Sequence, residues 1–222
     1  MPAFSDPSDA EAAIQWPLAH PWPEHRRRRL AVMASGSGSN FEALVHSCRN
    51  GRLAASVELL VVNNPAAPAL ERARRLGIPA QLRDHRRYGS RQELDGALVT
   101  LFREQAIDLV VMAGWMRIVT PVLIEAFDGR LINIHPSLLP SFRGLDAVGQ
   151  ALAAGVTLSG CSAHLVNEEL DGGEILVQAA VPVLAGDSHA RLQARIQRHE
   201  HLILPLAVAL ASQRLDQAAD QG

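Results

Sequence analysis

The stretch LAVMASGSGSNFEALVHSC, residues 30–48, decides the fold of this chain. Its first five residues are all apolar, which is typical of a strand buried on both faces. A turn rich in glycine and serine follows at residues 36–40, and residues 40–48 read as a helix. A buried strand, a glycine-rich turn and a helix in this order predict the start of an α/β fold.

The same alternation continues along the chain to residue 134. Short apolar runs predict strands at residues 57–63, 80–83, 108–113 and 130–134. Intervening segments predict helices at residues 67–76, 91–105 and 121–127, with Gly77 closing the first and Ser90 and Glu93 at capping-box spacing in the second. Strands that alternate with helices predict a mostly parallel, Rossmann-like sheet with helices on both faces.

The pattern changes after Pro136. A helix at residues 145–154 leads into two predicted strands, 159–166 and 175–183, around a turn that contains Asp171 and two glycines. The last predicted helix covers residues 188–212, and its Pro205 is expected to kink it. The two strands predict an antiparallel addition in the C-terminal half of the sheet.

The chain is expected to form a single α/β domain over residues 29–212. Five prolines interrupt any pattern at the start, so residues 1–28 are expected to be an irregular leader. Docking of Trp16 and Trp22 on the domain stays open. Residues 213–222 are expected to be a polar, frayed tail.

Composition excludes several classes of protein. With 222 residues, 48% hydrophobic, the chain can bury a core, and its net charge of -2 argues against a general nucleic-acid binder. No apolar run approaches the roughly 18 residues of a membrane span, and no secretion signal is recognisable. Two cysteines make neither a disulfide framework nor a Cys-rich zinc site, so we expect a reducing, cytoplasmic location. All 21 basic residues are arginine, which excludes lysine Schiff bases and a P-loop lysine.

The turn at residues 36–40 has the composition of an anion site. Small residues let backbone N–H groups approach a phosphate at the start of a helix. Phe41 stands where the dinucleotide fingerprint needs its third glycine, and an acidic residue is missing near Asn63. The turn therefore favours a phosphate monoester over a dinucleotide, and a purely structural turn is the alternative.

Asn133 and His135 lie two residues apart at the end of a predicted strand, so they project to the same side. An amide can donate to a developing oxyanion, and a histidine can move protons near neutral pH. Acyl transfer to an amine needs both capacities, and the carboxylate of Asp171 could hold the imidazole charged or relay the proton. A structural histidine beside an ordinary Asp-Gly-Gly turn is the alternative.

Other polar residues are less informative. His164 could face the site or be a hydrogen-bonded buried group. Gln197 and Glu200 share one helix face, where they are either solvated or bind hydroxyls and an amine. His199 and His201 lie about 200° apart around the helix and cannot share a metal ion.

Four spaced motifs together resemble the phosphoribosylglycinamide formyltransferase family of folate-dependent enzymes. They are SGSGSN at residues 35–40, AGWMRI at 113–118, NIHPSLLP at 133–140 and ELDGG at 169–173. The similarity runs from about Leu30 to Ala211 in the same order. It implies transfer of the formyl group of 10-formyltetrahydrofolate to the amine of 5′-phosphoribosylglycinamide in purine biosynthesis.

The resemblance also implies the site residues. Those for the ribonucleotide phosphate are Gly38, Ser39 and Asn40, and those for its ribose are Glu200 with Gln197 nearby. Those for the folate are Met116, Arg117, Ile118 and Val119, with Arg91 on its glutamate tail. Those for catalysis are Asn133, His135 and Asp171. No metal, nucleic acid or membrane is implied, only small-molecule substrates, with the chain a monomer or a homodimer.

Arg143 and Asp146 depart from the pattern of many relatives, which puts in doubt a substrate contact from their loop.

Three alternative functions would come with other features. A methionyl-tRNA formyltransferase would carry a further C-terminal domain and a basic surface, and a formyltetrahydrofolate hydrolase a regulatory domain in front. A nucleotide-binding module without catalysis would use the same residues structurally.

Overall fold

A computed structural model of the protein describes residues 14–18 and 21–221. Eight strands are present in this part of the chain: β1 Ile14–Trp16, β2 Arg28–Ala34, β3 Ala55–Val62, β4 Ala80–Leu82, β5 Leu109–Met112, β6 Leu131–His135, β7 Leu158–Leu165 and β8 Ile175–Pro182. The α-helices are α1 Ser39–Arg49, α2 Ala69–Leu76, α3 Arg91–Glu104, α4 Pro121–Ala126, α5 Ala147–Ala154 and α6 His189–Ala219. A single 3₁₀ turn, His85–Arg87, precedes α3.

The strands form one sheet in the order β1-β8-β7-β6-β5-β2-β3-β4. The five strands from β6 to β4 in this order are parallel, whereas β7, β8 and β1 pair antiparallel. The prediction of a mostly parallel, Rossmann-like sheet with an antiparallel addition is confirmed.

Two apolar cores cover the two faces of the sheet. Leu30, Val32 and Ala34 of β2 pack into one core together with α1, α2 and α6. The alternate residues Ala31 and Met33 pack into the other core, with α3 and α4. Burial on both faces explains why the strand is a continuous apolar run rather than an alternating one.

The predicted helix ends are confirmed, with one difference. Gly77 ends α2 in a left-handed conformation, and the hydroxyl of Ser90 accepts the amide N–H of Glu93. The Glu93 carboxylate, however, accepts from the N–H of Gly89 at 2.7 Å instead of from that of Ser90. The start of α3 is therefore capped from both sides.

Two segments expected to be irregular, residues 14–16 and 213–219, have regular secondary structure. Three residues expected to be irregular form β1, which pairs with β8; a strand this short between prolines gives no readable pattern. The helix α6 continues through Pro205 and past residue 212 to Ala219. Its Asp216 accepts the amide N–H of Arg26 at 2.7 Å and also pairs with the Arg28 guanidinium, which holds the end of the helix against the start of β2.

The two leader tryptophans differ. Trp22 packs against the core beneath Arg52, whose guanidinium carbon lies 4.3 Å from the ring centroid. Trp16 is 72% exposed. Residues 1–13 and 19–20, which also belong to the predicted leader, lie outside the part that the structure describes.

Two Gly→Ala substitutions, one in β7 and one in α3, test the packing of the domain. They are expected to change the free energy of unfolding in opposite directions. A Cβ atom at Gly160 of β7 would lie 2.0 Å from the carbonyl oxygen of Ala179, so Gly160→Ala is expected to lower the free energy of unfolding by about 3 kcal/mol. Nothing lies within 4 Å of a Cβ atom at Gly96 in α3. Gly96→Ala is therefore expected to raise it by about 0.5–1 kcal/mol. Urea unfolding monitored by circular dichroism measures both, and equal values would contradict the described close approach.

Candidate active site

The glycine-rich turn joins β2 to α1, and Gly38 shapes it. Gly38 has a left-handed backbone, with φ of 73°, at the N-cap of α1. A Cβ atom there would lie 2.7 Å from the Cβ atom of Ala69 in α2, so a larger residue does not fit. Because Gly38 offers no side-chain cap, the first amide groups of α1 are available to an anion. The geometry suits the predicted phosphate site.

Arg72 of α2 supports this turn. Its Nε atom donates to the carbonyl oxygen of Ser37 at 2.7 Å, and its guanidinium also pairs with Glu42 of α1. Although burial opposes the effect, the guanidinium groups of Arg75 and Arg72 lower the pKa of Glu42, which keeps this pair ionised. Sequence reasoning missed Arg72 because only the packing of α2 against α1 brings it to the turn.

A cavity of about 320 Å³ opens beside the turn, between residues 35–40 and α6. From α6, Gln197 donates to the hydroxyl of Ser39 at 2.9 Å. The carboxylate of Glu200 accepts from Nδ2 of Asn40 at 2.8 Å. The structure thus brings together the turn and the two helix residues expected to bind the ribonucleotide.

Glu200 is a buried carboxyl group, only 8% exposed. Burial raises its pKa, although the hydrogen bond from Asn40 acts in the opposite direction. The Oδ1 atom of the Asn40 amide is also buried, and no described residue donates to it. The pair therefore has unused hydrogen-bond capacity that a ligand with hydroxyl groups would satisfy.

The second group of predicted residues meets at the Asp171 carboxylate. Asp171 lies on the turn between β7 and β8 with φ of 49°, and its side chain is 8% exposed. Its Oδ1 atom lies 3.4 Å from Nδ2 of Asn133, and its Oδ2 atom lies 3.5 Å from Nδ1 of His135. Asn133 and His135 therefore do project to the same side of β6, as expected.

The loop that follows β6 holds this cluster through backbone groups. The carbonyl oxygen of Phe142 lies 2.8 Å from Nε2 of His135, and the amide N–H of Gly144 donates to Asp171 at 2.8 Å. Both ring nitrogens of His135 thus face oxygen acceptors, the Phe142 carbonyl at Nε2 and the Asp171 carboxylate at Nδ1.

The two residues that departed from the pattern have structural partners instead. Arg143 pairs with Glu169. Asp146 caps α5 and accepts from His189 at 2.8 Å. Both side chains thus have partners within the protein, and the charge of Arg143 also contributes to lowering the pKa of His164.

His164, which sequence reasoning left open, faces the cluster. It lies opposite Asn133 in the β6–β7 pairing. Its Nδ1 atom lies 2.8 Å from the carbonyl oxygen of Leu165, which can only accept, so Nδ1 carries the proton. Burial lowers the pKa of His164 and keeps the ring neutral. Its Nε2 atom, 3.1 Å from Nδ2 of Asn133, therefore accepts and fixes the orientation of the amide.

The segment expected to bind the folate lies between β5 and α4. The side chains of Met116 and Ile118 are 72% and 56% exposed, whereas Val119 is buried. The amide N–H of Met116 donates to the hydroxyl of Ser35 at 2.9 Å, which ties the segment to the glycine-rich turn. Two exposed apolar side chains on a fixed backbone suit an aromatic ligand.

The charges of Arg91 and Arg117 both act on Asp95 of α3. Burial raises the pKa of Asp95, and the charges of Arg117 and Arg91 both act to lower it. The Asp95 carboxylate accepts the amide N–H of Thr120 at 2.6 Å. Both predicted arginines thus lie within electrostatic range of one buried carboxyl group, beside the segment expected to bind the folate.

Over residues 14–18 and 21–221, no three His, Cys, Asp or Glu side chains are grouped so that they could hold a metal ion. In the same part of the chain, no helix combines the length and the apolar character needed to cross a membrane.

Replacing Glu200 tests whether the charge of this buried carboxyl group opposes folding. Because the pKa of Glu200 is raised in the folded protein, its negative charge opposes folding at neutral and higher pH. This effect disappears at a pH low enough to protonate the group in both the folded and the unfolded protein. We expect Glu200→Gln to raise the free energy of unfolding by about 1 kcal/mol at about pH 8. The difference is expected to shrink below about pH 4.

The exposed Glu168 provides the control, since Glu168→Gln is expected to change the stability by less than about 0.5 kcal/mol. Urea unfolding at several pH values measures both variants. A loss of stability in Glu200→Gln at the higher pH would contradict the described burial of charge.

The known proteins that are similar to this chain include formyltransferases. The family described as Formyl transferase matches residues 28–208. The phosphoribosylglycinamide formyltransferase of Escherichia coli (strain K12) is 42% identical over 180 residues, which are 81% of this chain and 85% of that protein. The human "Trifunctional purine biosynthetic protein adenosine-3" is 41% identical over 199 residues, 90% of this chain. The chain spans only 20% of the length of that human relative.

The fold agrees with the sequence match. The crystal structure of glycinamide ribonucleotide transformylase 1 from Symbiobacterium toebii superimposes with a TM-score of 0.83 and 44% identity, covering 84% of this chain and 88% of that one. A family match over most of the chain, with the same fold, shows that the protein belongs to the formyl transferase family.

Proposed function

We propose that the protein transfers the formyl group of 10-formyltetrahydrofolate to the amine of 5′-phosphoribosylglycinamide. The products are the N-formyl ribonucleotide and tetrahydrofolate, in purine biosynthesis. One observation carries the proposal: the Asp171 carboxylate lies between the Asn133 amide and the His135 imidazole, in the same domain as a phosphate turn. The names of relatives that are about 40% identical support it.

The ribonucleotide would bind in the cavity between the turn and α6. Its phosphate would accept from the amide groups of Gly38, Ser39 and Asn40, where the helix dipole favours a negative charge. Its ribose hydroxyls would donate to the carboxylate of Glu200, with Gln197 next to them. Both ends of the substrate would then be fixed before the amine reacts.

The folate would bind along Met116, Arg117, Ile118 and Val119. The exposed side chains of Met116 and Ile118 supply apolar contact, and backbone groups of this segment supply hydrogen bonds to a ring edge. Arg91 would pair with the carboxylate of the glutamate tail. These contacts would leave the formyl group near Asp171.

Asn133 and His135 would stabilise the charge that develops during attack. The substrate amine adds to the formyl carbon, and the formyl oxygen becomes negative. In the free protein, Nδ2 of Asn133 and Nδ1 of His135 point to Asp171 at 3.4 and 3.5 Å, the long limit of hydrogen bonding. Both donors can therefore turn to the oxyanion, where preorganised donors contribute most to the rate.

Asp171 would then move the proton. The attacking nitrogen must lose one proton, and the folate nitrogen must gain one as its bond to the formyl carbon breaks. The Asp171 carboxylate can accept the first proton and then return it to the folate nitrogen, directly or through water. No redox step or metal ion is needed for this balance.

We also propose that the protein works in the cytoplasm on small molecules alone, as a monomer or a homodimer. Its composition supports this view, since a net charge of -2 does not suit a phosphate backbone as partner.

Asp171→Asn tests the proposed reaction. The amide can still accept from Gly144, so the fold is expected to persist, but it cannot take up a proton. We expect kcat to fall about 10²–10⁴-fold. The measurement is the absorbance of deformylated folate, with and without the ribonucleotide.

Glu169→Gln is the matched control, because it makes the same change two residues away on an exposed side chain, and its kcat is expected to stay within about twofold. Folate release that needs no ribonucleotide would contradict the proposal and favour hydrolysis. So would the absence of release from folded wild-type protein.

A further inference from the structure

Three successive carbonyl groups of the glycine-rich turn are held by α1 and α2. The carbonyl oxygen of Gly36 accepts the first amide N–H of α2 at 3.2 Å, and that of Gly38 accepts an amide N–H of α1 at 3.0 Å. Between them, the carbonyl oxygen of Ser37 accepts from Nε of Arg72 at 2.7 Å. Of these three bonds, the one to Ser37 comes from a side chain, so a substitution can remove it.

The bond to Ser37 decides where the next amide group of the turn points. The peptide bond between Ser37 and Gly38 is trans. In a planar trans peptide, the C=O and N–H groups point in opposite directions. Both residues line the cavity beside the turn, whereas Arg72 is not among the described residues that line it. A Ser37 carbonyl that points to Arg72, away from the cavity, therefore directs the N–H of Gly38 into the cavity.

An anion site needs this arrangement. A phosphate is attracted by N–H groups and repelled by carbonyl oxygens, so the carbonyl groups of the turn must face away from it. A peptide plane turned over at Ser37 would replace the N–H of Gly38 with an oxygen atom. The hydrogen bond from Arg72 opposes that rotation, because the rotation would leave a charged donor without its acceptor.

Arg72 is itself fixed in place. Its guanidinium pairs with Glu42 of α1, which also pairs with Arg75 at 2.5 Å. Its Cδ atom lies 3.7 Å from the position of a Cβ atom at Gly38, so the aliphatic part of the side chain packs along the turn. The Nε–H group is therefore presented to Ser37 in one orientation, whether or not a ligand is bound.

We propose that Arg72 is a positioning residue for the substrate phosphate. Its Nε–H group holds the Ser37 carbonyl away from the cavity, and the N–H of Gly38 is thereby directed at the phosphate before the ribonucleotide binds. Arg72 acts through the backbone of the turn and does not contact the phosphate itself. This inference rests on the proposed function, since it concerns the phosphate of the same substrate.

Two substitutions of Arg72 separate its donor from its charge. Arg72→Lys keeps the positive charge but puts a methylene group where the Nε–H group lies. Arg72→Gln removes the charge, but its side-chain amide nitrogen occupies the position of Nε and can still donate. We expect the Kd for 5′-phosphoribosylglycinamide to rise about tenfold in Arg72→Lys, the effect of one misdirected hydrogen bond to a charged group. In Arg72→Gln we expect a rise of less than about threefold.

Isothermal titration calorimetry measures the Kd for the ribonucleotide and, separately, for tetrahydrofolate. A general loss of structure would weaken both, whereas the proposed role weakens only the first. Arg74→Lys is the matched control, because it makes the same change two residues along α2, on a side chain that is 77% exposed and pairs with Glu71. Its Kd for the ribonucleotide is expected to stay within about twofold of the wild-type value.

The orientation of the peptide is observed directly by nuclear magnetic resonance of the Gly38 amide. Its proton signal is expected to shift downfield when the ribonucleotide binds to the wild type, because the N–H donates to a charged acceptor. The shift is expected to persist in Arg72→Gln and to be smaller in Arg72→Lys. The absence of a downfield shift in the wild type would contradict the proposed direction of this N–H group.

A loss of affinity in Arg72→Lys no larger than that in Arg72→Gln would overturn the inference, because charge alone would then explain it. An equal loss for tetrahydrofolate, the same loss in Arg74→Lys, or a wild type that does not bind the ribonucleotide would overturn it as well. Failure of the proposed function is seen separately, since calorimetry needs no turnover. A wild type that binds the ribonucleotide but deformylates no folate in its presence would contradict the proposed function and not this inference.

Discussion

The parallel alignment of β2, β5 and β6 is the constraint on which the site depends. Strands that run in one direction end at one edge of the sheet, where ligands bind in open α/β folds. Here this edge collects the glycine-rich turn after β2, residues 113–119 after β5 and the Asn133–His135 pair of β6. A backbone hydrogen bond of 3.0 Å from Ser35 to Gly114 joins the first two directly. Three segments far apart in sequence thus become one surface.

The antiparallel strands β7 and β8 bring two further residues to the Asn133–His135 pair. Pairing of β7 with β6 sets His164 opposite Asn133, and the turn from β7 to β8 returns Asp171 to the same place. A shift of one residue in this register would send His164 to the other face of the sheet. The loop after β6 adds two backbone contacts to the cluster, from the Phe142 carbonyl oxygen to His135 and from the Gly144 amide to Asp171.

Local patterns were sufficient to predict most of the fold. Strand runs, the Ser90 cap and the Gly77 terminus depend on neighbours in sequence, and they are where they were expected. The contact between Asn40 and Glu200 depends on how α6 packs, and the resemblance to a family implied only that both residues serve one ligand. The exposed strand β1 and the support of the turn by Arg72 had no readable signal in the sequence, because each follows from tertiary contacts alone.

The neutral state of His164 has a consequence for how the site responds to acid. While Nε2 accepts, the Asn133 amide must present its NH₂ group to His164 and Asp171. Protonation would turn Nε2 into a donor, and the amide would have to flip and offer its oxygen instead, which repels an oxyanion. Because burial lowers the pKa of His164, that inversion is deferred to more acidic conditions. A residue to which no substrate contact is assigned would thus determine which group of the Asn133 amide faces Asp171.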